Sequence, residues 1–519
     1  MTAVFRRADN LFNPSIFPVF LYNACSGMAF ATIRYKSQYL FQDFVEKSSL
    51  VSLYDFENRE NFFHGVHKGT KFCLLTLSGS DSPVNQAVFS FFAQTISDLD
   101  DADRTFSLTT SDFYSLNPNT KTCPVFRTSR DAEITKAIYR RVAPLVIDGS
   151  PEGNPWNMSY QCMFHMSNDS GLFHESEMLD AAGLMMEGNH YVRQHDEGFE
   201  ERFLPLYEGK MVSFYDHRAA NVIKSPTAIH RKNQPQYLSL EEKMMPQFTA
   251  KPYYWVNEKE VVKRIGMNSW WLLGFNNVTS SSTNGRTLVC TALPLAAVGH
   301  SEPLIRDARA PHLLLSVLNS FVLDYIARQK IGGTNLTLGY LKQFPVLSCN
   351  QVRTHETMIS AAILELVYTA WDLRSFANSL DCFGPPFVWD EERRALILAE
   401  LDALMFHLYG VNREDVIYIM DTFAIVERKD RKKHGEYHTK NLILDRYDAM
   451  THAYESAHGT LTNTPNSKTP PLDQASLTHY SHQLAKALAT HYQTNISPPP
   501  AHPSQAHPAS TRPSWTDRD

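Results

Sequence analysis

The stretch "GGTNLTLGYLKQFPV", residues 332–346, joins a predicted mixed α+β unit to a predicted helical one. An amphipathic helix predicted over residues 313–330 ends just before it, because glycine terminates helices. The paired glycines are followed at once by Thr334 and Asn335, and further on by Lys342. Polar groups beside a backbone that can be approached closely favour an interaction surface, although glycine also ends helices for purely local reasons.

The bulk composition predicts a water-soluble protein with more than one packed core. The chain has 519 residues, of which 43% are apolar, and its formal net charge is −6. Any nucleic-acid contact must therefore come from local patches of Lys and Arg. No apolar run reaches the roughly 18 residues of a spanning helix, so no membrane partner is predicted. The seven cysteines are scattered and never form CxxC, which favours reduced thiols and a cytoplasmic location.

The N-terminal region predicts part of a parallel α/β sheet. "SSLVSLYDF" (48–56) and "KFCLLTL" (71–77) have the composition of strands, and "YLFQDFVEK" and "AVFSFFAQTISDL" have apolar spacings that fit helices. A complete doubly wound sheet needs five or more strands. Since only a few are visible, we expect a sheet that lacks its beginning.

The rest of the chain predicts a connector, two further units and a tail. "RDAEITKAIYRRV" is predicted as a helix after the connector, and "KMVSFYDHR", "KPYYWV" and "RTLVCTALPL" as strands of an α+β unit. Residues 354–450 are predicted to be mainly helical, with Asn412 and Asp415 starting one helix. After about residue 456 the chain is rich in Ser, Thr, His and Pro, which predicts a disordered tail.

Two local motifs favour chemistry with phosphates or bases, each against a structural alternative. "YEGKMVSFYDHR" contains Lys210, Asp216, His217 and Arg218, which could contact DNA or form an internal ion-paired cluster. "ERKDRKKHGEYH" carries a run of cations that favours a phosphate backbone, although most such runs are solvated helix faces. No GxxxxGK[ST] loop, strand-linked GxGxxG loop or nucleophile elbow is present.

A cluster of potential zinc ligands suggests a different function. Cys162, His165, His174, His190 and His195 lie within 34 residues, and their spacings would permit a tetrahedral site. A zinc-dependent hydrolase that uses Cys162, His165, His190 and His195 is therefore one alternative. A non-catalytic interaction remnant is another.

Seven segments together resemble the C-terminal half of a large adenine-specific DNA methyltransferase. They are "LVSLYDFENRENFFHGVHKGTKFCLLTL", "LNPNTKTCPVFRTSRDAEITKAIYRR", "MFHMSNDSGLF", "PLYEGKMVSFYDHR", "NGRTLVCTALP", "GGTNLTLGYLKQFPV" and "LDALMFHLYGVNREDVIYIMDTF", and they occur in the family's order between about residues 27 and 450. The family is that of type II restriction-modification enzymes in which methylase and target recognition share one chain, with relatives in phage-defence systems.

The resemblance also identifies what is missing. Such enzymes have an upstream S-adenosylmethionine loop of the type FxGxG and a catalytic [DNS]PP[YFW], which holds the flipped adenine. Neither motif occurs here: "NPNT" (117–120) and "FNPSIF" (12–17) both lack the second proline. We therefore expect a truncated chain without methyltransferase activity of its own and without bound S-adenosylmethionine. Its expected partners are double-stranded DNA and a separate polypeptide that carries the catalytic half.

The resemblance implies a domain order and a set of DNA-binding residues. The expected units are an unmatched N-terminus (1–26), a remnant of the methyltransferase sheet (27–100), a connector (101–150), a target-recognition domain (151–350), a helical subdomain (351–455) and the disordered tail (456–519). No catalytic, cofactor-binding or metal-binding residue is expected. The expected DNA-binding residues are Lys210, Asp216, His217, Arg218, Arg286, Gly332, Gly333, Thr334, Asn335, Lys342, Lys432 and Lys433.

Overall fold

The protein combines several β-sheets with many helices. A computed structural model describes residues 16–21, 38–79, 81–194, 200–225, 233–266, 270–279, 285–331, 334–458, 474–494 and 512–513. Within these residues the mixed α/β and α+β fold class expected from the sequence is confirmed. No helix in them has both the length and the apolar character that crossing a bilayer requires.

The N-terminal sheet is mixed. Its five strands are β1 (Ile16–Leu21), β2 (Leu50–Glu57), β3 (Lys71–Ser78), β4 (Gln86–Ala93) and β5 (Thr105–Thr109). Their order across the sheet is β1-β3-β2-β4-β5, and only β2 and β4 pair in parallel. The prediction of a parallel sheet is wrong for the other pairs, because β3 returns antiparallel onto β2 without a helical crossover.

The segment "AVFSFFAQTISDL", predicted as a helix, contains strand β4 instead. Ala87, Phe89 and Phe91 alternate along this strand and are all buried. Phe89 stacks on Phe106 of the neighbouring β5, with ring centroids 5.6 Å apart. A repeat of two residues is the signature of a strand, but the adjacent Phe91 and Phe92 obscure it in the sequence.

Three helices accompany this sheet: α1 (Gln38–Glu46), α2 (Thr110–Leu116) and α3 (Ser129–Arg141). The predictions of helices in "YLFQDFVEK" and "RDAEITKAIYRRV" are thus confirmed. The start of α3 is fixed locally, because the Thr128 side chain accepts a hydrogen bond from the Asp131 backbone N–H, and the Asp131 carboxylate accepts one from the Thr128 backbone N–H.

The middle region contains three small sheets. Its strands are β6 (Ser159–Gln161), β7 (Met185–Glu187), β8 (His190–Gln194), β9 (Glu200–Tyr207), β10 (Ala220–Lys224), β11 (Asn233–Tyr237), β12 (Trp255–Asn257), β13 (Trp271–Phe275), β14 (Cys290–Pro294), β15 (Ala297–Val298) and β16 (Leu304–Arg306). The orders are β12-β9-β8-β7 with β15 beside β9, β14-β13-β16-β6, and β10-β11 alone. Its helices are α4 (Ser176–Ala181), α5 (Leu240–Met244) and α6 (Glu258–Ile265).

The helix predicted over residues 313–330 is two helices, α7 (Pro311–Leu318) and α8 (Phe321–Lys330). Ser320 divides them, because its hydroxyl accepts a hydrogen bond from the Leu323 backbone N–H and starts α8. Both helices are buried on nearly all sides, so neither has the exposed polar face expected of an amphipathic helix.

The C-terminal region is mainly helical, as predicted. Its helices are α9 (Leu338–Leu341), α10 (Cys349–Arg353), α11 (Glu356–Val367), α12 (Arg374–Asn378), α13 (Glu391–Leu408), α14 (Arg413–Asp421), α15 (Ala424–His434), α16 (His438–His458) and α17 (Gln474–Thr494). Asn412 caps α14 by accepting a hydrogen bond from the Asp415 N–H, which confirms that predicted start. The segment after residue 456, expected to be a disordered tail, contains one described helix, α17, which buries Tyr480, Leu484 and Leu488 against the other helices.

One large hydrophobic core extends from Phe41 in α1 to Leu488 in α17 and joins the N-terminal sheet to the C-terminal helices. A second core lies around β9. The expectation of reduced thiols is wrong for Cys73, which is disulfide-bonded, because spacing within the sequence does not identify cysteines that meet only in the fold. The free cysteines are Cys123, Cys162, Cys290, Cys349 and Cys382.

Candidate nucleic-acid interface

Helix α15 carries the basic run "ERKDRKKH" on the surface of the protein. None of its residues is buried, and the chain enters it from Phe423, which is fully buried and packs its ring 4.8 Å from that of Phe321. Gly435, in the left-handed conformation at φ 81°, ends the helix. The helix is therefore anchored at its start and exposes its cations to solvent.

The cations of α15 divide into paired and unpaired side chains. Arg431 contacts Glu427 at 2.8 Å, and Lys433 contacts Glu391 at 2.7 Å. Three further cations are exposed and make no ion pair with any described residue: Arg428, Lys429 and Lys432. We call these three the basic face. At about 100° of rotation per residue they fall within an arc of about 100°, so they point to one side of the helix.

Lys433 of α15 is linked to helix α5 through side-chain contacts and neighbouring residues. Glu391, the partner of Lys433, begins α13 two residues after Trp389. The Trp389 ring lies 4.4 Å from the Lys243 ammonium group, and Lys243 belongs to α5. Helix α5 in turn follows strand β11 directly. The basic helix and the two-stranded β10-β11 sheet are therefore connected through α5.

The first turn of α15 lies against the segment that contains Arg286. Gly285 sits beside Ile425 and Val426 of α15, and its carbonyl accepts a hydrogen bond from Arg328 at 2.9 Å. Arg286 itself is only 8% exposed and lies 3.7 Å from the Phe321 ring, with its guanidinium donating to the Asn319 carbonyl. Contact of Arg286 with DNA stays a prediction, and in this structure aromatic and backbone partners hold the side chain inside the protein.

The triad "DHR" of the YDHR motif is also buried, so its structural alternative is correct. Asp216 contacts Lys243 at 2.7 Å, and His217 contacts Asp372 at 2.8 Å. Arg218 is fully buried and donates to backbone carbonyls, those of Lys243, Met245, Phe248 and Thr369, at 2.7 to 3.1 Å. Contact of these three residues with DNA stays a prediction, and in this structure their side chains lie inside the protein.

The charges of this buried cluster compensate one another. Burial acts to raise the pKa of Asp216, but the nearby charges of Lys243 and Arg394, with a hydrogen bond from Lys243, together lower it. The cluster also fixes α5, because the carbonyls that Arg218 binds belong to the end of that helix and the segment after it. The residues predicted to read DNA thus act as a support beneath the surface.

Lys210 is partly exposed and has two partners. Its ammonium group lies 3.0 Å from Glu208 and donates to the Asn233 carbonyl at 3.1 Å. Asn233 is the first residue of β11, so Lys210 attaches that strand to the body of the protein.

The stretch 332–346 joins two parts of the fold. Thr334 and Asn335 are exposed, and the Thr334 carbonyl accepts a hydrogen bond from the Thr279 backbone at 2.9 Å. Further along, Lys342 contacts Asp148 at 2.7 Å, and the Phe344 carbonyl accepts from Leu145 at 2.7 Å. Lys342 is therefore ion-paired with the connector and is not available to contact a phosphate in this structure. Gly332 and Gly333 lie outside the described residues.

The zinc alternative is not supported. Cys162 is exposed, His165 stacks on His300 at 4.7 Å, and burial, followed by the charge of Arg202, lowers the pKa of His190 to about 3. No cluster of three or more potential ligands occurs in the described part of the chain. His195 lies outside that part.

No glycine-rich turn follows β2 or β4 in the sequence. This parallel pair of the N-terminal sheet ends in an aromatic cluster in which Phe56 stacks on Phe72 at 5.2 Å and packs against Ala93. A cofactor site at the carboxyl ends of parallel strands needs a glycine-rich turn and an open crevice. "NPNT" is likewise structural, because Asn117 is 2% exposed and accepts a hydrogen bond from the buried Lys330.

Sequence reasoning missed the β10-β11 sheet, in which the side chains of Ile223, Gln236 and Tyr237 are exposed. The available signal was the pair of short segments "ANVIK" and "NQPQY" around a polar connection. Pro235 weakened that signal, because proline removes a hydrogen-bond donor from a strand.

Comparisons with known proteins give one structural likeness to report. No family model matches the chain, and no curated protein matches its sequence. A solved structure titled "Characterization and crystal structure of the type IIG restriction endonuclease BpuSI" is similar at a TM-score of 0.26 and 9% identity. The similarity covers 84% of this chain and 48% of that one, so the chain spans about half the length of the restriction endonuclease.

Proposed function

We propose that this protein binds double-stranded DNA through the basic face of α15. The observation that carries the proposal is the set of three exposed cations, Arg428, Lys429 and Lys432, that no described acidic residue neutralises. In a chain with a net charge of −6, such a face is a local exception and attracts a polyanion. Cations on one side of a helix can follow the phosphates of a duplex and release its counterions.

The motifs that resemble adenine-specific methyltransferases support a more specific role. We propose that the chain is the target-recognition portion of such an enzyme in a restriction-modification or phage-defence system. Since the given sequence contains neither the FxGxG nor the [DNS]PP[YFW] motif, methyl transfer would depend on a catalytic half that carries both. That half would bind S-adenosylmethionine, which supplies the transferred methyl group.

The support beneath the surface is consistent with recognition of a rigid partner. Buried charges are costly to desolvate, yet Asp216 and Arg218 are both kept inside the protein. There Asp216 pairs with Lys243 of α5, and Arg218 binds the carbonyl of Met245 just after that helix. Recognition of bases needs side chains held on a stable support, because small displacements break the contacts.

Fluorescence anisotropy with a labelled random-sequence duplex tests the proposal. We expect binding at about 50 mM salt and a fall in affinity as salt increases, with a slope of log Kd against log salt of about 3 for three phosphate contacts. Absence of binding at about 50 mM salt, or affinity that does not change with salt, would contradict the proposal. The non-catalytic interaction protein would then be the better description.

A further inference from the structure

The strands β10 and β11 form an antiparallel sheet of their own. Residues Ala220–Lys224 pair with Asn233–Tyr237, and no other described strand extends this sheet on either side. A two-stranded ribbon has the width that the major groove of B-DNA admits. The shape of this element therefore fits a duplex.

The ribbon is attached to the body of the protein near both ends. The Val222 backbone N–H donates to the Lys251 carbonyl at 2.8 Å, and the Lys251 N–H donates to the Asn221 side chain at 2.8 Å. Lys210 holds the Asn233 carbonyl at 3.1 Å. These contacts fix the position of the strands, so their exposed side chains have a defined direction.

The register of the ribbon places Gln236 and Ile223 on the same face. Asn221 lies opposite Gln236, and Ile223 lies opposite Gln234, so Ile223 is the diagonal neighbour of Gln236. Ile223 is 41% exposed, and Gln236 is exposed without a hydrogen bond to any described residue. An unpaired amide beside an exposed aliphatic side chain is the combination that suits an A·T pair. Glutamine can bond to adenine N6 and N7, and an apolar group can contact the thymine methyl.

The charge of the hairpin sequence agrees with a nucleic-acid partner. Between residues 220 and 237 the sequence contains Lys224, Arg231 and Lys232 and no Asp or Glu. An element that enters a groove lined by phosphates must avoid acidic side chains. The nearest acidic residues along the chain after the ribbon are Glu241 and Glu242 in α5.

The ribbon is linked to helix α15 through helix α5. Helix α5 follows β11, and Lys243 of α5 contacts Trp389, two residues before the partner of Lys433 in α15. Phosphate contacts position a protein on DNA, whereas base contacts determine which sequence it prefers. The basic face of α15 would do the first and the ribbon the second.

We propose that the β10-β11 ribbon enters the major groove and that Gln236 and Ile223 read an A·T base pair there. This inference rests on the proposed DNA-binding function and adds to it the element and the side chains that determine specificity. Gln236 would donate to adenine N7 and accept from adenine N6, and Ile223 would pack against the thymine methyl.

Selection of bound sequences from a random duplex pool tests the inference. The wild-type protein is expected to enrich a motif that contains at least one A·T pair, and replacing that pair with G·C should weaken binding about 10-fold or more. Gln236→Ala should lose this discrimination and keep its affinity for the unselected pool. Gln236→Glu should shift the preference toward cytosine, because a carboxylate accepts from cytosine N4.

A matched control separates the role of Gln236 from general effects of substitution. Gln86 is an exposed glutamine at the start of β4, and Gln86→Ala should leave the selected motif unchanged. Circular dichroism of each variant establishes that it folds.

Each outcome bears on a specific claim. If the wild type binds no duplex at low salt, the proposed function itself fails. If it binds with the expected salt dependence but enriches no motif, or if Gln236→Ala and Gln236→Glu enrich the wild-type motif, the ribbon inference is overturned while DNA binding stands.

Discussion

Neutralising the basic face should remove most of the salt dependence of DNA binding. The perturbation is the triple substitution Arg428→Gln, Lys429→Gln and Lys432→Gln, which keeps good helix formers at each position. Because α15 buries none of its residues, these substitutions change its charge without disturbing a core. The thermal stability of the protein should therefore stay close to that of the wild type.

The magnitude follows from counterion release. Each phosphate contact contributes about 0.9 to the slope of log affinity against log salt, so the loss of three contacts should reduce the slope by about 2.7. At about 0.1 M salt the same loss corresponds to a decrease in affinity of roughly 500-fold. Fluorescence anisotropy at several salt concentrations gives both quantities.

A charge-neutral control uses the neighbouring ion pair. Lys433 and Glu391 lie 2.7 Å apart, and the double variant Lys433→Gln with Glu391→Gln removes one positive and one negative charge together. Its slope should equal that of the wild type. If the triple variant also kept the wild-type slope, the basic face would not be the site of phosphate contact, and the reasoning from unpaired cations would be refuted.

Further predictions concern stability and pH. Arg218→Met should lower the free energy of unfolding by about 3–5 kcal/mol, measured by urea denaturation, because it leaves buried backbone carbonyls without their donor and removes a positive charge near the buried Asp372 and Asp216. Burial lowers the pKa of His355 and of His407 to about 4, so below their ordinary pKa of 6.5 the unfolded state binds more protons than the folded one. Stability should therefore fall between pH 6.5 and about 4, by about 3 kcal/mol for each histidine, and urea midpoints at several pH values would detect this. Lys342→Ala should cost less than about 1 kcal/mol and leave DNA affinity unchanged in anisotropy titrations, because this lysine is paired with an exposed carboxylate in the connector.

Local sequence patterns predicted the features of the fold that depend on neighbouring residues. The starts of α3 and α14 were readable because a cap and its partner lie three residues apart. Helix α17 was missed because its sequence is polar and becomes ordered only by packing. Its Tyr480 hydroxyl contacts His407 at 2.9 Å, and Ser481 contacts His355 at 3.2 Å. Such contacts join residues more than 70 positions apart, which no local pattern reveals.

Local sequence patterns also do not distinguish buried charged residues from exposed ones. In the sequence, the residues of "YDHR" and those of "RKDRKK" are equally plausible ligands for a phosphate, because both combine cations with nearby aromatic rings. Their difference is burial: Arg218 is fully enclosed by carbonyls, whereas Lys432 is exposed and unpaired among the described residues. A charge inside the protein needs fixed partners there, and the same enclosure keeps a ligand from reaching it. An arginine so enclosed can influence DNA only through the element that it holds, here α5 and the ribbon before it. Substitution of Arg218 should therefore act on DNA binding through stability, and substitution of the basic face should act on it directly.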